Sequence, residues 1–216
     1  MPSISGFVNR ILQGDCTDVM RRMPERSIDL VVTDPPYAAR YRDRSGRTVA
    51  NDDNTRWLSP AFAEVARVLK DNRFCVSFYG WHQADAFLHA WRSAGLRPVG
   101  HLVWVKRYRS NDRPRFLEYR HEAAYLLAKG YPCPVQAITD VLRWEYTGNR
   151  HHPTEKPVSA LAPLIEAFSR PGDIVLDPFA GSGSTAVAAR GLGRRYVGIE
   201  LDVRHCETAA ARLRAA

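Results

Sequence analysis

The chain of 216 residues, 45% of them hydrophobic, has room for one domain with a substantial core and too little chain for two ordinary ones. Its 31 Lys and Arg against 23 Asp and Glu leave a formal net charge of +8, which fits a polyanionic partner. No run approaches the roughly 20 apolar residues that span a bilayer, and no N-terminal stretch resembles a signal peptide, so a soluble, cytoplasmic protein without membrane contact is expected. Cys16, Cys75, Cys133 and Cys206 lie far apart with no CxxC pairing, so neither a disulfide framework nor a zinc site is signalled.

In chain order, residues 7–12 give a weak strand signal and residues 28–33 a strong one. Residues 38–56 form a polar stretch with Arg40, Arg42, Arg44 and Arg47 and no periodicity. Apolar residues at 62, 65, 66 and 69 share one helix face and predict a helix over 60–69. A strand over 74–79, a helix over 81–94 and a strand over 99–105 follow. A basic segment then carries Lys106, Arg107, Arg109, Arg113, Arg115 and Arg120 with Tyr108, Phe116 and Tyr119 interleaved, a mixture suited to phosphate neutralisation and base stacking. No helical pattern separates strand 99–105 from strand 123–127, which predicts an antiparallel pair at one edge. Residues 131–152 are again polar and aperiodic. The chain closes with a helix over 157–169, a strand over 174–176, a helix over 184–191, a strand over 196–199 and a helix over 203–213. Short strands alternating with helices predict an α/β domain with a largely parallel sheet.

Two motifs carry chemistry. Strand 174–176 runs into Asp177-Pro178-Phe179-Ala180-Gly181-Ser182-Gly183-Ser184-Thr185, a turn of small residues leading into a helix. Glycines there let the backbone approach a ligand, and the helix N-terminus presents unpaired N–H groups. Glu200, at the end of the following strand, is placed to accept hydrogen bonds from ribose hydroxyls. An adenosine-containing cofactor is implied. The loop alone does not choose which, because Gly181-x-Gly183-x-x-Ala186 also satisfies the dinucleotide pattern. Asp177 and Phe179 count against a pyrophosphate at its mouth and favour S-adenosylmethionine.

The second motif is Asp34-Pro35-Pro36-Tyr37, directly after strand 28–33. Two prolines fix the backbone and remove two donors, leaving acceptors. If Asp34 and the Pro35 carbonyl each accept one hydrogen of an exocyclic amino group, the nitrogen lone pair is freed to attack a sulfonium methyl. Tyr37 offers a flat face on which a flipped base stacks. Read alone, each motif also admits a plain structural explanation, as a rigid turn or a glycine turn for packing.

Together, and in this order, they resemble the bacterial exocyclic-amino DNA methyltransferases, in particular the circularly permuted β group, over nearly the full chain. The resemblance implies a seven-stranded, mostly parallel sheet with one antiparallel strand and S-adenosylmethionine as cofactor. It assigns the cofactor's adenine to Asp15 and Cys16, its ribose to Glu200 with Leu201 beside it, and the methionine amino group to the vicinity of Asp177. His152-Pro153-Thr154-Glu155-Lys156-Pro157 matches a further family segment, in which Thr154 and Lys156 would hold the methionine end. Asn51-Asp52-Asp53 with Trp57 resembles the family's stretch following the catalytic loop, and Arg120-His121-Glu122 heads a strand that the family also carries near its substrate pocket. No metal is expected, since His151 and His152 have no accompanying cluster. The resemblance also implies double-stranded DNA as substrate and a homodimer. Asp rather than Ser at the first tetrad position leans towards adenine N6 over cytosine N4. RNA or protein methyl transfer, and a DNA-binding regulator without catalysis, are the rival readings. Residues 130–151 are short for the family's target-recognition insertion, so recognition is either shallow or shared with residues 38–56, with the basic segment or with a second subunit.

Overall fold

The computed structural model describes residues 3–37, 52–108, 116–145 and 155–215. Its sheet has the order β1-β8-β7-β2-β3-β5-β4-β6, formed by β1 (Arg10–Gln13), β2 (Ile28–Thr33), β3 (Leu69–Phe78), β4 (Arg97–Val105), β5 (His121–Lys129), β6 (Val141–Arg143), β7 (Ile174–Asp177) and β8 (Arg195–Glu200). All neighbours are parallel except where β5 runs against β3 and β4. β2 and β7 are buried along their whole length, as strands covered on both faces must be.

Helices cover both faces. On one, α1 (Cys16–Arg21), α2 (Leu58–Val68) and α3 (Ala84–Ser93) pack Met20, Phe62, Phe87 and Trp91 against Val31, Cys75 and Leu176. On the other, α4 (Val158–Phe168), α5 (Ser184–Gly191) and α6 (Val203–Ala215) pack Leu164, Ala189 and Leu213 against Leu30, Val76 and Val175. The alternation of Leu30, Val31 and Val32 between the two cores is the period of two that a strand imposes. Asp29 holds the opposite end of the sheet. Its carboxylate accepts from Lys70 Nζ at 2.7 Å and from the Ile174 amide at 3.0 Å, tying β2 to β3 and β7.

The fold class is as expected, with one correction in strand number: among the described residues the sheet has eight strands, not seven. The additional one is β6, three residues inside the polar stretch 131–152. It is held by main-chain pairing to β4, with Val103 opposite Val141, and leaves no periodicity to read. Strand 7–12 is displaced to Arg10–Gln13, because Phe7 turns back against the core and Asn9 takes φ of 58° before pairing with β8 begins. The expected helix over 81–94 starts as a 3-10 turn, Trp81–Gln83. Among the described residues no helix is long and apolar enough to cross a membrane.

Candidate active site

From β7 the chain passes through α5 to β8 on one side; from β2 it passes through α2 to β3 on the other. The sheet therefore reverses its winding between β7 and β2, and the crevice at the C-terminal ends of these two strands is where open α/β sheets bind ligands. Both motifs end there: Asp177 closes β7, and Asp34 directly follows β2.

On the β7 side the turn is built for close approach. Gly181 and Gly183 have φ of 51° and 81°, and a Cβ on Gly183 would stand 2.8 Å from the Ala209 Cβ on α6. Gly183 is the N-cap of α5, so the first amides of that helix face the crevice mouth. Asp177 accepts from the Thr185 hydroxyl at 2.7 Å and the Phe179 amide at 3.1 Å; burial nevertheless pushes its pKa up to about 7. Glu200 accepts from the Gly181 amide and the Asp202 amide, each at 2.8 Å. Its neighbour across the sheet is Gln13, so Asp15 stands near by, capping α1 by accepting from the Thr17 amide at 2.8 Å. Cys16 is buried at the start of α1, which raises its thiol to about 12 and leaves it inert. Ala180, Ser182, Ser184 and Thr185 are buried, whereas Leu201 is exposed. These residues form a trough of backbone donors closed by carboxylates, which suits a nucleoside carrying an ammonium.

On the β2 side, Asp34 Oδ1 accepts from the Tyr37 hydroxyl and Oδ2 from Lys156 Nζ, both at 2.7 Å. A carboxylate has about four lone-pair sites, so two acceptor positions remain. Lys156 also lies 3.9 Å from Glu122, which pairs in turn with Lys106. Two carboxylates and two ammonium groups thus alternate in a network walled by Tyr37, Phe78 and Trp144, whose rings stand 5.4, 5.0 and 6.0 Å from Lys156 Nζ. Burial raises the pKa of Asp34, with Lys156 and Tyr37 opposing. Burial acts to lower that of Lys156, but Asp34 and Glu122 outweigh it and keep the ammonium charged. Burial would raise Glu122, yet Lys156 and Lys106 hold it below the usual carboxylate range.

The backbone of the tetrad is fixed from two directions. The Tyr37 amide donates to Asp52 at 2.8 Å. Gly80, just beyond β3, lies so close that a Cβ there would stand 2.8 Å from Tyr37 Cβ and 3.0 Å from the Tyr37 carbonyl oxygen. Trp57 meets Phe179 edge-on at 5.1 Å, joining the segment after the tetrad to the glycine turn. Pro157 caps α4 directly after Lys156. Gly80, Phe78 and Trp144 escaped sequence reasoning, since a lone glycine after a strand and two apolar aromatics carry no signal of a site. Arg212 escaped it too, reading as one more cation on an amphipathic helix. It donates to Ser182 O and Oγ at 2.9 Å and to Ser184 Oγ at 3.1 Å, and pairs with Glu155 at 3.0 Å.

The structure separates residues that the sequence grouped. Lys106 was expected among phosphate-contacting cations but is buried, its ammonium paired with Glu122 and lying over the Trp144 and Tyr108 rings at 5.0 and 5.8 Å. Lys156, expected at the methionine end of the cofactor, meets a carboxylate of the chain itself, Asp34. Arg107 and Arg120 are exposed at the same rim. Arg40, Arg42, Arg44, Arg47, Arg109, Arg113, Arg115 and Thr154 lie outside the described residues. Among the described residues no group of three His, Cys, Asp or Glu could hold a metal.

Residues 28–211 match the DNA methylase family. YubD of Escherichia coli (strain K12), a methylase by name, is 56% identical over 195 residues, covering 90% of this chain and 85% of its own. The M1.HpyAVI–SAM complex superposes with a TM-score of 0.76 at 23% identity, covering 94% of this chain and 98% of the other. The cytosine-N4-specific PvuII DNA methyltransferase gives the same TM-score at 18% identity, covering 93% and 84%. At these identities the two structures speak for the fold alone. With the strand-end tetrad and the glycine turn facing one crevice, and this match over most of its length, the chain belongs to the DNA methylase family of N6/N4 amino-methyltransferases, whose methyl donor is S-adenosylmethionine.

Proposed function

We propose that the chain methylates adenine N6 at specific sites in double-stranded DNA, on a nucleotide flipped out of the helix. The observation that carries this reading is the Asp34 carboxylate, fixed at the end of β2 with two acceptor positions remaining, across the crevice from the glycine turn. Bound S-adenosylmethionine supplies an electrophilic methyl group. Glu200 would accept from its ribose hydroxyls, Asp15 would accept from its adenine amino group, and Asp177 would face its ammonium. Residues 179–185 and Leu201 line its path. Asp34 and the Pro35 carbonyl accept the two amino hydrogens of the base, Pro36 keeps the turn rigid, and Tyr37 stacks on the ring. As the nitrogen–methyl bond forms, the methyl–sulfur bond breaks with its electron pair left on a neutral thioether sulfur, and the amino proton released passes to Asp34, whose burial makes it a better acceptor than a surface carboxylate. Lys156 keeps that carboxylate ionised beforehand.

The same reading takes the chain as a circularly permuted β-group member acting as a homodimer. Residues 130–151, residues 38–56 and the basic segment share target recognition. Sequencing of DNA from expressing cells at single-molecule level is expected to find N6-methyladenine in a fixed context. N4-methylcytosine in its place would move the target to cytosine, and label from the cofactor appearing only in RNA or protein would refute DNA as substrate. Asp34→Ala is expected to lower kcat by at least about a hundredfold, the scale of losing one preorganised transition-state partner, with cofactor affinity retained.

A further inference from the structure

Trp81 is 64% exposed, an unusual fate for an indole, and it stands beside the tetrad. It follows Gly80, the residue against which Tyr37 is packed, and opens the 3-10 turn before α3. Its ring is braced by Tyr119, with centroids 6.1 Å apart and planes 29° from parallel, and meets the His82 ring edge-on at 5.8 Å. Phe116 and Leu117 of the same segment are also exposed. The charged residues here are of both signs, with exposed Asp85 in the first turn of α3. Arg120 reaches the Arg107 carbonyl at 3.3 Å and both side chains face solvent, with Glu118 the acid of the segment.

An exposed aromatic ring beside a site marks an interaction surface, and the position of Trp81 selects its partner. Trp81 directly follows Gly80, against which Tyr37 packs, so a protein subunit seated on Trp81 would crowd the tetrad that a substrate base has to reach. Extraction of one base leaves a gap in the stack the height of an aromatic ring, and a ring already immobilised by a stacked neighbour loses little freedom on entering it. We infer that Trp81, braced by Tyr119, stacks into duplex DNA beside the extracted nucleotide and stabilises the flipped state. This inference rests on the reading of the chain as a base-flipping DNA methyltransferase. Trp81 touches the duplex and leaves the reacting atoms to the tetrad.

The test compares kcat/KM of wild type, Trp81→Ala and Trp81→Phe on two oligonucleotide duplexes carrying the sequence that the wild type methylates. In one, the target base is normally paired; in the other, it lies opposite an abasic site, where extraction breaks no base pair. Trp81→Ala is expected to lose about tenfold to a hundredfold on the paired duplex, the scale of one lost stacking partner. Its loss should be at least several-fold smaller on the abasic duplex, with Trp81→Phe near wild type and cofactor affinity unchanged in both. Equal losses on the two duplexes, no loss on either, or a weakened cofactor affinity would each overturn the role given to Trp81. A wild type that methylates no DNA at all fails the underlying reading, and this inference with it.

Discussion

Asp177 makes two hydrogen bonds that favour its charge, yet burial raises its pKa to about 7. Since the folded-state value lies above that of an unfolded aspartate, folding favours the protonated form. The resulting contribution to stability is full below the ordinary carboxylate range and is lost as pH rises through about 7. An ammonium arriving beside Asp177 favours the ionised form instead. Cofactor binding below about pH 7 is therefore expected to release a proton, and Kd should fall as pH rises from about 6 to about 7.5. Calorimetry in buffers of different ionisation enthalpy reads the proton release directly. Asp177→Asn should abolish it, and a wild-type Kd flat over that range would show that Asp177 does not face the ammonium. Asp34, Tyr37, Asp177 and Glu200 are legible in the sequence because each stands at a strand end inside a motif. Asp52 and Glu122 were placed near the site by resemblance only; their partners, the Tyr37 amide and Lys156 with Lys106, come from distant parts of the chain.

At the scale of elements, Arg212 makes α6 a part of the glycine turn. One guanidinium nitrogen holds Ser182 and Ser184 and the other pairs with buried Glu155, next to Lys156. A single side chain thus couples the glycine turn to the segment that positions the partner of Asp34. Arg212→Met removes this cation from buried Glu155, a change that costs up to about 3–5 kcal/mol where the remaining charge is left wholly uncompensated and less where other contacts stay. Denaturant unfolding should show a loss of that order, and cofactor Kd should rise several-fold. Adding Glu155→Gln is expected to restore part of the stability and none of the cofactor affinity, since the serine contacts stay broken. An Arg212→Met variant that binds cofactor like wild type would reduce the residue to a structural strut. Helix α6 itself was legible from its periodicity. The residue it aims at the turn was not, because periodicity gives a face and no partner.

For the whole molecule, a net charge of +8 predicts that binding to any duplex DNA weakens with salt through counterion release. Fluorescence anisotropy between about 50 and 200 mM salt should show affinity falling about tenfold or more, and a flat response would remove the basic segments from the DNA-binding surface. The sequence by itself determined the α/β class, most strands and helices, and the two motifs with their order, because these depend on periodicity, proline and glycine chemistry, and residues adjacent in the chain. The eighth strand waited for the tertiary structure, since a three-residue edge strand is held by main-chain bonds to β4 that no side chain announces. So did the separation of Lys106 from the surface cations and the pairing of Lys156 with Asp34, because burial and Coulomb partners are settled by which elements meet. The crevice itself arises only when β2 and β7, far apart in the chain, become neighbours in the sheet and set Asp34 and Asp177 at adjacent strand ends.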